Sequence, residues 1–201
     1  MTYHTPYEII AKGAESGKYR ASLPWWNILL RGWMAGAYIS MGASLMIIVS
    51  TGVASALGAG IVQLLSGLVF PLGLILVVLT GAELFTGDAM LAPFAAFSGI
   101  SRWNAVFRLW ILSYLGNIIG AIFFAGLLAY SVLLQPGPDG MTASAYAVAT
   151  VTFAAERCSY PGIYGILSCF IKAVAAGWLI NLAVLLGISA DDAVGKIAGI
   201  W

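Results

Sequence analysis

Four long apolar runs, separated by short polar stretches, set the pattern of the chain. They extend from about Ile28 to Ser50, from Ile61 to Gly99, from about Val106 to Leu134, and from Ile163 to about Ile188. A helix needs roughly 20 apolar residues to cross a bilayer. The first, third and fourth runs therefore predict single spans, whereas the second is long for one straight span and short for two. Ahead of them, Tyr7, Ile10, Ala11 and Ala14 recur at helical spacing between Thr5 and Arg20, with Glu8, Lys12, Glu15 and Lys18 at the other positions. This predicts an amphipathic helix lying at the membrane surface. Pro24 ends it, and Trp25 and Trp26 suit the membrane interface. Thr51 to Gly60 reads as an uncharged turn, Gln135 to Gly140 as a loop, and Ala143 to Ala155 as a short helix outside the membrane core. After the fourth run comes a polar turn, Ser189 to Lys196. Ile197 to Trp201 then reads like the opening of a fifth span.

The second run carries the candidate chemistry. Gly81-Ala-Glu-Leu-Phe-Thr-Gly-Asp88 brings two carboxylates, a hydroxyl and two glycines into apolar surroundings, and Glu83 and Asp88 are the only charges from Ile61 up to Arg102. Two readings fit. In one, a helix ends near Thr80, the chain loops within the membrane, and a second half-helix starts near Asp88. Such irregular backbone survives only where protein buries it or where it lines a watery cavity. In the other, the span ends at Thr80, and the carboxylates sit at the membrane surface before a short interfacial helix, Ala89 to Gly99. Ionisable groups at membrane depth are costly enough to point to function. Pro93 is positioned to kink the second half.

Composition settles the class. The chain is 61% hydrophobic and 8% charged, with mean hydropathy +0.97, against about 25% charged residues in a soluble domain. An integral membrane protein in contact with a lipid bilayer is expected, with an all-α fold formed as a polytopic helical bundle. The net charge of +1 gives no sign of a nucleic-acid partner. Cys158 and Cys169 are too widely spaced for a metal or redox pair and are expected as buried free thiols. His4 is the only histidine, so neither a histidine metal site nor a catalytic triad is readily built. No metal and no cofactor are expected, and the N-terminus lacks the form of a cleavable signal. Lys12, Lys18, Arg20, Arg31, Arg102, Arg108 and Lys196 fall on one side of a four-span arrangement and only Arg157 on the other. The basic side, with both ends of this chain, is thus expected in the cytoplasm, the protein being a multi-pass component of the cell membrane.

Three stretches resemble the formate–nitrite transporter family. Phe70-Pro-Leu-Gly-Leu-Ile-Leu-Val-Val78, leading into Gly-Ala-Glu-Leu-Phe-Thr-Gly, is similar to its second span. Ser113-Tyr-Leu-Gly-Asn117 is similar to its third, and the Asp191-Asp192 turn is similar to its formate branch. The segment from Arg31 to Gly42 also resembles its first helix. The resemblance implies an aquaporin-like channel fold with a broken second helix, assembled as a homopentamer with a pore in each protomer for a small monovalent anion. It implies that Phe70 and Leu74 form a hydrophobic constriction, and that Leu84, Phe85 and Thr86 lie on the substrate path, with the Thr86 hydroxyl in the loop. Gly81, Gly87, Glu83 and Asp88 would support that loop. Glu83 is expected to accept hydrogen bonds from loop N–H groups, and Asp88 to cap the second half-helix. Asn117 is expected to hydrogen-bond between helices.

The chain also departs from the family. Members have six spans in two inverted halves, and the fifth carries a second broken loop with a histidine facing the threonine. That half is expected to be mostly absent here, as in a fragment or truncated member ending after the fourth span. The family's fourth-span asparagine aligns with Gly177, leaving Asn181 one turn on as a substitute. A lysine expected before that span aligns with Pro161. Lys172, inside the span, is expected either to pair, with Glu83 as a candidate partner, or to snorkel to the interface. Asp88 replaces a more usual asparagine and adds negative charge near an anion path. The reading is transport of a small anion, with formate ahead of nitrite or hydrosulfide. A structural or partner-dependent membrane subunit remains the alternative of another class. An enzyme using Glu83 and Asp88 as an acid–base pair is disfavoured, because no nucleophile, metal cluster or cofactor motif accompanies them.

Overall fold

The computed structural model describes residues 3–137 and 140–201. Pro138 and Asp139, within the expected loop at Gln135 to Gly140, lie outside the described residues. Helix α1, Pro6–Ser22, opens on a capping box in which the Thr5 side chain accepts from Glu8 N–H and the Glu8 carboxylate accepts from Thr5 N–H. Helix α2, Trp25–Ser50, crosses the bundle. Helices α3, Ala54–Val69, and α4, Leu72–Thr80, meet at Phe70 and Pro71, where Pro71 has no N–H to donate yet keeps helical dihedrals. Together they run as one apolar stretch from Ala56 to Thr80. Helix α5, Phe85–Phe97, follows a four-residue break and contains Pro93. Helix α6, Trp103–Leu128, continues into a π-helical turn at Ala129–Leu133.

A short hairpin follows, β1, Leu134–Gly137, paired antiparallel with β2, Gly140–Ala143. These four-residue strands are a small addition to an otherwise helical fold, at the place expected to be plain loop. The chain then forms α7, Ala145–Cys158, α8, Gly162–Ile188, and α9, Ala193–Ile200. Among the described residues, four stretches are long and apolar enough to cross a membrane: Trp25–Ser50, Ala56–Thr80, Trp103–Leu133 and Gly162–Ile188.

Helices α2 and α6 pack backbone to backbone. A Cβ added at Gly36 would stand 2.0 Å from the Asn117 carbonyl oxygen, and one at Gly120 would stand 1.9 Å from that of Trp33. Only glycine permits this approach, which is how membrane helices associate without a hydrophobic driving force between them. One core cluster joins the ends of α1 and α2 to α5 and α6 through Ala21, Leu23, Ile28, Ala92, Val106 and Leu109. A second joins α4, α5, α8 and α9 through Leu74, Ile75, Leu91, Val184 and Ile200.

Helix α1 differs from the expectation. Tyr7 and Ile10 are exposed, and the buried face is Gly13, Ala14, Gly17 and Ala21. Small residues win that face because α1 lies close against α5, where bulk at Gly17 would meet the Leu91 backbone. Its N-terminus is fastened to the turn after α8: His4 N–H donates to the Ser189 carbonyl, and Lys12 Nζ donates to Asp191 at 2.9 Å. The cysteines also differ, for Cys158 and Cys169 are both exposed rather than buried. Each sits on a helix, α7 or α8, that presents most of its surface outward.

Candidate functional site

The break between α4 and α5 is built from inside the bundle. Helix α4 stops at Gly81, whose φ of +70° is the left-handed conformation that ends helices without strain on a glycine. Ala82 N–H returns to the Val77 carbonyl, and Glu83 N–H donates to the Arg31 carbonyl of α2. Asn117 then binds the loop from α6. Its Nδ2 donates to the Gly32 carbonyl at 2.9 Å and to the Glu83 carbonyl at 2.8 Å, while its Oδ1 accepts from Phe85 N–H at 3.0 Å. One amide thus satisfies loop backbone groups that a helix would otherwise have paired. Asn117 lies nearly four turns into α6, so the loop is enclosed by helices and is not a surface connection. Of the two readings of this segment, the broken helix is the one observed. The second half begins at Phe85, three residues before the expected start near Asp88.

Both carboxylates are fully buried and belong to one four-charge cluster. Arg20 Nη1, from α1, donates to Glu83 Oε2 at 2.6 Å and to Asp88 Oδ1 at 3.0 Å. Arg31 Nη1, from α2, donates to Glu83 Oε1 at 3.4 Å and to the Gly81 carbonyl at 3.2 Å, and Arg31 Nη2 donates to the Tyr19 hydroxyl. Two expectations are corrected here. Glu83 takes its bonds from two guanidinium groups and not from loop N–H groups. Asp88 does not cap α5, because the N-cap is Leu84 without a side-chain bond and Asp88 lies inside the first turn. The physical reason is charge: a carboxylate buried away from water requires a counter-ion, which backbone N–H groups do not supply.

Thr86 occupies the first turn of α5, and its Oγ1 is buried without a hydrogen-bond partner among the described residues. It lies on the wall of two cavities. One, of about 490 Å³, is lined by Ile39, Phe70, Pro71, Leu74, Leu84 and residues of α8 and α9. The other, of about 290 Å³, is lined by Phe85, Tyr114, Asn117 and residues of α2. Leu84 and Ile39 also border both. The structure thereby brings Phe70, Leu74, Leu84, Phe85 and Thr86 to one locality, with Gly81, Glu83 and Asp88 behind them. Gly87 is buried and adjoins Val184 of α8.

The fourth-span candidates do not join this group. Lys172 is exposed, with Nζ 5.3 Å from the centroid of the Tyr160 ring. Its pairing with Glu83 is excluded by the arginines that hold that carboxylate. Asn181 is half-buried, its Oδ1 unpaired among the described residues, and it is not on the wall of either cavity. Arg20 and Ile39 were not singled out from the sequence. Arg20 counted there only toward topology, and its solitary place on the inner face of an amphipathic helix was the available signal.

Comparison with known proteins gives the family and the fold. The formate/nitrite transporter family model matches residues 7–201. The chain is 34% identical to a probable formate transporter of Methanothermobacter thermautotrophicus, over 100% of this chain and 75% of that protein. It is 33% identical to the formate channel BtFdhC of Bacillus thuringiensis, covering 100% and 73%, and 29% identical to the formate channel FocA of Escherichia coli K12, covering 94% and 63%. Among solved structures, an FNT family ion channel superposes with a TM-score of 0.77 at 24% identity, covering 97% of this chain and 73% of that one. A pentameric formate channel with formate bound superposes with a TM-score of 0.71 at 26% identity, covering 88% and 65%. The family is one of transporters and channels, not enzymes, and with its match across residues 7–201 the chain belongs to the formate/nitrite transporter family.

Proposed function

We propose that the protein conducts formate, or a similarly small monovalent anion such as nitrite or hydrosulfide, past the break between α4 and α5. The observation that carries this reading is the Thr86 hydroxyl, buried and unpaired among the described residues where two cavities adjoin. The barrier to a small anion is dehydration. Phe70, Leu74, Leu84 and Ile39 offer it an apolar passage, and such constrictions gate by excluding water. A free hydroxyl and the N-terminal turn of α5 replace part of the lost hydration, since the first N–H groups of a helix lack intrahelical acceptors and carry partial positive charge. The carboxylates of Glu83 and Asp88 do not oppose this, because Arg20 and Arg31 balance them.

In this reading each protomer has its own pore and the protomers form a homopentamer in the cell membrane, with both ends of the present chain cytoplasmic. The pentamer is supported by the pentameric relative, and the orientation by the basic-residue asymmetry. The test is formate and nitrite flux into proteoliposomes containing the intact protein. Thr86→Val keeps the shape and removes the donor, so flux falls strongly while assembly persists; Thr86→Ser retains flux. Unchanged flux in Thr86→Val removes the assigned role of the hydroxyl, and no flux of either anion in the wild type removes the channel reading.

A further inference from the structure

We propose that Arg20, on α1, is a positioning residue for the anion path: it is the counter-ion that lets this chain keep an aspartate at position 88, and it couples the docking of α1 to the pore loop. Arg20 Nη1 is the donor shared by Glu83 and Asp88, and Nε is held by Ser16 Oγ at 3.2 Å. The charges around the pair are few. Arg31 reaches Glu83 and Gly81 but makes no ion pair with Asp88. Arg108 is engaged with the Ala21 and Leu23 carbonyls at 2.8 Å. Trp110 Nε1 donates to the Asp88 carbonyl, not to its carboxylate. Among the described residues Arg20 is thus the cation paired with the Asp88 side chain.

Two consequences follow. With Arg20 present, two carboxylates face two guanidinium groups and the loop is neutral toward an anion. Without it, one net negative charge stays buried behind Thr86, where it repels a permeating anion and favours hydration of the loop. Arg20 is also the charged tie from α1 to the loop carboxylates. It acts beside the Arg31 bond to the Tyr19 hydroxyl and the Arg108 bonds to the Ala21 and Leu23 carbonyls, while small residues such as Gly13 and Gly17 form the face of α1 toward α5. The position of a helix outside the four spans is thereby tied to the electrostatics of the path.

The proposal rests on the channel reading for one of its two readouts only. Flux is measured in proteoliposomes of the intact protein for wild type, Arg20→Gln, Asp88→Asn and the double variant. Docking is measured in the same variants by maleimide labelling of Ala14→Cys, with Cys158 and Cys169 replaced by serine. Arg20→Gln is expected to lower formate flux about tenfold or more and to speed labelling, because it strands a buried charge. Asp88→Asn alone keeps the wild-type protection of Ala14→Cys, because Arg20 still pairs with Glu83. The double variant recovers most of the flux and most of the protection, which a purely steric role of Arg20 does not produce. Wild-type behaviour of Arg20→Gln, or a double variant as impaired as Arg20→Gln, overturns the proposal. If wild type passes no anion, the channel reading falls, and the labelling series still decides whether Arg20 docks α1 by neutralising Asp88.

Discussion

Gly36→Ala perturbs the site from its wall, at the backbone contact between α2 and α6. The added Cβ would lie 2.0 Å from the Asn117 carbonyl oxygen and 2.8 Å from the Asn117 carbonyl carbon and Cα. All three are backbone atoms of α6, so no side-chain rotation relieves the clash. Helices α2 and α6 must separate locally by about 1 Å to restore ordinary van der Waals distances. Overpacking of this kind costs about 1–3 kcal/mol. Separation also draws Asn117 from Gly32, and with it the bonds to the Glu83 carbonyl and Phe85 N–H. Three hydrogen bonds at about 0.5–1.5 kcal/mol each bring the expected loss to roughly 2.5–7.5 kcal/mol if all of them lengthen. The assay is reversible unfolding in mixed micelles by titration with a denaturing detergent, followed by tryptophan fluorescence. Gly126→Ala, on the facing helix α6 but with nothing within 4 Å of the new Cβ, serves as control and is neutral or gains about 0.5–1 kcal/mol. Stability of Gly36→Ala within about 0.5 kcal/mol of wild type would refute the argument, since even the lower bound for overpacking exceeds it.

Asn117→Leu removes the polar link between α6 and the loop, leaving Phe85 N–H and the Glu83 carbonyl without that partner; a loss of about 2–4 kcal/mol is expected by the same titration, and an unchanged midpoint counts against the link. The Asp191 carboxylate, bonded by Lys12 and by His4, is held down at about 2 from its ordinary 3.8. A depressed carboxylate stabilises the fold above its unfolded value, and the contribution fades as pH falls through its folded value. The contribution of this carboxylate to fastening α1 to the turn after α8 is therefore full above about 4 and is lost as pH falls through about 2. Carboxyl carbon NMR of Asp191 should titrate near 2, and a midpoint at 3.8 or above contradicts the contact. Cysteines placed at Ser50 and Ser101 should label from the outer and inner faces of the membrane respectively; the reverse pattern overturns the orientation.

The sequence alone determined the membrane class and the four apolar spans, and it marked the stretch where the second run is interrupted. Each is written in local composition: long runs free of charge make spans, and Glu83 and Asp88 interrupt one such run with groups no lipid-facing helix tolerates. The role of Asn117 between helices was legible too, because an amide inside a span has few other uses. Partnership was not legible. Arg20 is separated from its carboxylates by more than sixty residues, and no periodicity within α1 says which carboxylate a lone arginine will meet. Expectations for Glu83 and Asp88 failed for that reason, as did the pairing with Glu83 that was one of the two alternatives for Lys172: burial selects whichever counter-ion the packed helices deliver. The buried face of α1 was misjudged on the same ground, since apolar spacing marks what prefers to leave water and not how closely two backbones will approach. Tertiary structure decided that small residues line that contact, that α1 reaches the loop, and that the charge of Asp88 is paired with Arg20.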